Sequence, residues 1–101
     1  MQIIKSLVSK IDDELEDAEK YIKCAFKVKA DYPQLADVYY NLSLEEMKHM
    51  TMLHDQVVRI INEFKKTNEV PAGMQVLYDY EHEREIKRAA KIKAKQDSYK
   101  Q

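Results

Sequence analysis

Residues 4–25 read IKSLVSKIDDELEDAEKYIKCA, and the apolar members of that stretch decide the fold. Ile4, Val8, Ile11, Leu15, Ala18, Ile22 and Ala25 are separated by alternating steps of four and three. At about 100 degrees per residue they form one continuous stripe along an α-helix. Such a stripe must be covered by another element. Beyond the turn Asp31-Tyr32-Pro33, residues Leu35, Tyr39, Leu42, Met50, Leu53, Val57, Ile60, Ile61 and Phe64 repeat the pattern, so the two stripes face each other in a helical hairpin.

Pro33 and the stretch Val70-Pro71-Ala72-Gly73 are the strong breakers, and they divide the chain into helices at about residues 2–30, 33–67 and 73–98. Two short turns imply antiparallel neighbours. The third segment is less regular. Tyr78, Ile86, Ala89 and Ile92 share a face, and its basic end (Lys87, Arg88, Lys91, Lys93, Lys95) is expected to fray. The fold class is therefore all-α: a long antiparallel hairpin plus a third C-terminal helix, in a single helical domain over residues 1–101. A hairpin buries apolar surface on one side only, and a chain of 101 residues makes a thin core. A second copy is expected to complete a four-helix bundle, as a homodimer or higher homo-oligomer.

Composition agrees with this class. Hydrophobic residues make up 45% and charged residues 35%, with one Gly and two Pro. The net charge of −1 creates no whole-chain field toward nucleic acid or anionic lipid, so neither a nucleic-acid nor a membrane partner is expected. The single Cys24 has no internal disulfide partner, no apolar run approaches 18 residues, and the first residues lack a secretory apolar core. A reducing, cytoplasmic setting is the expectation.

The informative residues are charged groups that fall inside an apolar stripe, where desolvation penalises them unless they are paired. Glu46 lies near the centre of the second stripe, whereas Glu45 points about 100 degrees away. His49 sits one turn beyond Glu46 toward one edge, and His54 lies near the opposite edge. Glu14 falls within the first stripe once Ile3, Leu7 and Tyr21 widen that side. On the third helix His82 and Glu85 share the face of Tyr78, Ile86 and Ala89. Glu-x-x-His on one helix places a carboxylate beside an imidazole, a donor set suited to iron, manganese or zinc. An isolated instance is more often a solvated pair. Glu14 strengthens it, although it lies 19 residues before Pro33 and Glu46 only 13 after, an offset of about 9 Å along the helices.

At these residues the chain resembles the ferritin-like superfamily, specifically its small rubrerythrin-type members of bacteria and phages. The resemblance spans about residues 10–60: Glu14 with Ala18 and Tyr21, then Tyr39-Tyr40-Asn41-Leu42-Ser43-Leu44-Glu45-Glu46-Met47-Lys48-His49. It implies a di-iron site in which Glu14 and Glu46 ligate or bridge and His49 is terminal, with ferroxidase or oxygen and peroxide chemistry. Manganese or zinc would suit the same donors. No second E-x-x-H follows; the third helix carries His82-x-x-Glu85 instead, so Glu85 stands for the third-helix Glu or two copies of the chain build one two-metal site. Glu85, His82 and His54 are the subsidiary metal candidates. No C-x-x-C pair exists for a rubredoxin-type iron, and Gln96-Asp97-Ser98-Tyr99-Lys100-Gln101 does not resemble an encapsulation peptide. The rival expectation is a metal-free ferritin-like dimeric module acting on a protein partner, such as a phage-encoded accessory or inhibitor of a host protein. Tyr21, Tyr39, Tyr40, Tyr78 and Tyr80 are expected in the core with polar tips, and Met47, Met50 and Met52 as packing residues.

Overall fold

The first stripe is buried as its spacing requires. In the computed structural model, which describes residues 1–101, Ile11, Leu15, Ala18, Ile22 and Ala25 are the buried residues of helix α1, Gln2–Val28. Helix α2, Pro33–Thr67, opens on its proline, whose fixed φ and missing N–H suit the first turn. Helix α3 runs from Ala72 to Tyr99, and there is no strand. No helix is long and apolar enough to cross a membrane.

The molecule is a rod of 56 × 19 × 17 Å, close to the length of α2 alone. Its core forms two stacked clusters. One contains Ile11, Leu15, Ala18, Val57 and Ile92, flanked by Met47, Met50 and Leu53. The other, near the α1–α2 turn, contains Ile22, Ala25, Ala36 and Tyr99. Leu35, Tyr80 and Met52, expected inside, are exposed, because the rod is too thin to cover the outer faces of its three helices.

A polar link crosses the three helices between these clusters. Ser43 Oγ donates to the Ala18 carbonyl at 2.7 Å and accepts from Gln96 Nε2 at 2.9 Å, with both side chains buried. Ser43→Val removes the acceptor and leaves the Gln96 amide unpaired in a dry place. Urea unfolding should then show a loss of about 2–3 kcal/mol. A change within about 0.5 kcal/mol, the size of an ordinary surface substitution, would mean the link contributes nothing.

The end of α3 is anchored, contrary to the fraying expected of its basic sequence. Tyr99 is buried, its hydroxyl donates to Asp37 at 2.7 Å, and its ring stacks on Tyr40 and meets the edge of Phe26. Lys29 Nζ donates to the Tyr99 carbonyl at 3.0 Å and lies 4.4 Å from the ring centroid. The lysines of this end that looked disruptive, Lys87, Lys91 and Lys93, simply point to solvent. Nearer the N-terminus of α3, Arg84 reaches both oxygens of Asp12 on α1, at 2.8 and 2.9 Å, and Glu81 at 2.6 Å.

Candidate metal centre

The 9 Å offset between Glu14 and Glu46 disappears in the folded chain. It arose from counting α1 up to Pro33, but α1 ends at Val28 and residues 29–32 form the turn without advancing along the axis. Counted from the helix ends, Glu14 is 14 residues before Val28 and Glu46 is 13 after Pro33, so the two stand level.

His49 completes the group from the next turn of α2. Its Nδ1 is 3.5 Å from Glu14 Oε2 and 3.8 Å from Glu46 Oε1. One ligand atom from each of the three residues lies within 4.8 Å of the others. The side chains of Glu46 and Glu14 are 18% and 25% exposed, and that of His49 is 53% exposed, which gives a site with a solvent-open side. Glu14 Oε2 is itself buried and has no hydrogen-bond partner. Glu45, by contrast, points to solvent.

The two carboxyls crowd each other. A hydrogen bond with the Glu14 carboxyl, then burial, then the charge of Glu14 push Glu46 up to about 7, while His49 pulls the other way. A proton, an imidazolium or a metal cation can each relieve that crowding. Two carboxylate oxygens and one imidazole nitrogen are the donors that borderline and hard divalent cations accept, so the residues present fit a single cation such as iron, manganese or zinc.

Helix α3 stays away from this group. Its polar and aromatic contacts reach Asp12, Phe26 and Lys29 at the α1 end of the hairpin and Asp37, Tyr40, Ser43 and His54 on α2. Asp12 and Glu14 differ by about 200 degrees of helical rotation, which places the Glu14–Glu46–His49 group on the hairpin face opposite α3.

The subsidiary candidates therefore do not join it. Glu85, 5% exposed, is buried under α3 with its Oε2 unpartnered. His54 and His82 pair with each other, Nε2 to Nδ1 at 3.0 Å, one ring donating and the other accepting. Sequence reasoning gave no sign of that pairing, since nothing in either helix alone specifies the register between α2 and α3. Ser43, Gln96 and Tyr99 were missed as anchoring residues for the same reason. Comparison with protein-family models, with curated proteins and with solved structures finds no match for this chain.

Proposed function

We propose that the protein is a ferritin-like di-metal protein that binds iron at Glu14, Glu46 and His49, with two copies of the chain supplying the two halves of the site. The observation that carries this reading is the convergence of two carboxylates and an imidazole, from two helices, around one point open to solvent on a single side. Glu14 and Glu46 would ligate or bridge, and His49 would be the terminal ligand. Iron held there supplies open positions at which dioxygen or peroxide can oxidise the ferrous state. The chain's own part is to hold two like charges close enough that only a proton or a cation reconciles them, and to keep the Glu14 Oε2 lone pairs free.

Surface area supports the second copy. A compact monomer of 12.0 kDa exposes about 6,000 Å². This chain exposes 6902 Å². The excess is similar to the roughly 800 Å² that each partner contributes to a standard interface. On the hairpin face opposite α3, Ile3, Leu35 and Val38 are exposed about 12–16 Å along the rod to either side of the candidate site. A homodimer across that face would cover them and bring together four carboxylates and two imidazoles.

The rival reading is supported by the same distances: a protonated His49 satisfied by Glu14 and Glu46 needs no metal, and the helical module then serves a protein partner. Anaerobic addition of ferrous iron to tag-free protein separates the two. One iron per chain is expected, with a dimer by solution mass and a rise in Tm on binding. Glu46→Ala should abolish the binding. Uptake no greater than background in the unmodified protein overturns the metal reading.

A further inference from the structure

The α2–α3 interface holds a second set of metal-ligating groups on the opposite side of the hairpin from Glu14. His54 Nε2 and His82 Nδ1 are 3.0 Å apart. Two imidazole nitrogens bound to one Zn²⁺ at 2.0–2.1 Å are separated by about 2.9 Å at a right angle and about 3.3 Å at the tetrahedral angle. The hydrogen bond between the stacked rings thus holds the two nitrogens at the spacing a single ion imposes, and an ion would replace the shared proton as the rings turn their lone pairs toward a common point.

A second, independent observation lies beside it. Glu85 follows His82 by three residues on α3, which puts the two side chains on one face a turn apart. Glu85 is almost fully buried, and its Oε2 has no hydrogen-bond partner. A carboxylate in that position is costly unless something compensates its charge. It lines, together with His54, a cavity of about 120 Å³ walled by Met50, Thr51, Ile86 and Ala89. That volume admits an ion with at least one water.

We propose that His54, His82 and Glu85 form a separate site for a borderline divalent cation of the zinc type, clamping α3 onto α2. The two imidazoles stand at ligand spacing; the Glu85 carboxylate, which does not lie within ligand reach of both, completes the set by side-chain rotation, and water takes the fourth position. Burial and the neighbouring ring lower the pKa of His54, which keeps its imidazole neutral and available as a ligand near neutral pH. Nothing in this site depends on Glu14, Glu46 or His49.

The chain has three histidines, so its imidazole NMR signals report each site individually. Titrating metal-free, tag-free protein with Zn²⁺ alone should shift the His54 and His82 signals together, saturating at one ion per chain. The shifts should persist in Glu46→Ala, where the other site is disabled. Glu85→Gln should weaken the binding by at least about tenfold, and His82→Gln should abolish it while circular dichroism still reports a folded helical chain. If His54 and His82 do not respond, if only His49 does, or if their shifts vanish in Glu46→Ala, the second site is overturned. Iron uptake at the first site can succeed or fail independently of each of these results.

Discussion

Without added metal, the protein should be less stable at pH 8 than at pH 4.5, with Glu85 alone contributing about 3 kcal/mol of the difference. Burial raises its carboxyl from 4.5 to about 7, the charge of Asp12 adds to the rise, and Arg84 opposes it. The folded value lies above the unfolded one, so the folded chain holds the proton more tightly. The stabilisation is complete below about 4.5 and is lost as pH rises through about 7. Glu46, also raised to about 7, slopes the same way. His54 has the reverse sign: its lowered pKa means that folding favours the neutral ring, and stability falls as acid protonates it. The three effects set a maximum on the acidic side of neutrality. Urea unfolding across this range should show the slope, and Glu85→Gln should remove the share of Glu85 while leaving that of Glu46. Parallel curves for the two proteins would mean that Glu85 ionises without cost.

Leu15→Ala should cost about 3–4 kcal/mol. Leu15 is fully buried and belongs to the cluster in which all three helices meet, with Ile11, Ala18, Val57 and Ile92. Removing its branched end loses transfer free energy and leaves a cavity that long helices, rigid along their axes, close poorly. A domain of this size has a total stability of roughly 5–10 kcal/mol. The variant should therefore show a melting temperature lower by some ten degrees or more, with α-helical circular dichroism retained below it. A loss under about 1 kcal/mol would show that the helices slide together to fill the gap.

How much of this was legible in the sequence depends on the helix. In α1 the stripe is apolar throughout, and every one of its members from Ile11 to Ala25 is buried. In α3 the buried edge is Tyr78, His82, Glu85, Ala89, Ile92, Gln96 and Tyr99, which alternates steps of four and three as regularly as α1 does. Three of its seven members are polar. The sequence reading placed Tyr78, His82, Glu85, Ala89 and Ile92 on this face, but it added Ile86, which is 54% exposed, and did not carry the face on to Gln96 and Tyr99. Rotation along α2 separated Glu46 from Glu45 correctly, because neighbouring residues on one helix differ by a fixed angle. The level of Glu14 against Glu46 was misjudged, because the count ran to Pro33 and so included residues 29–32, which form the turn. The pairing of His54 with His82 depends on an inter-helix register that only packing determines.

The short turn between α1 and α2 also sets an order of events. Those helices meet across four residues, whereas Arg84 reaches Asp12 and Tyr99 reaches Lys29 across 72 and 70 positions of chain. Closing the longer loops first would cost about 2.5 kcal/mol more in chain entropy than closing the turn. Once the hairpin exists, α3 needs only to swing about residues 68–71. Most of the buried core lies on α1 and α2, so the hairpin is expected to form first and α3 to dock late; lesions in α3 should then hasten unfolding while leaving the rate of folding almost untouched.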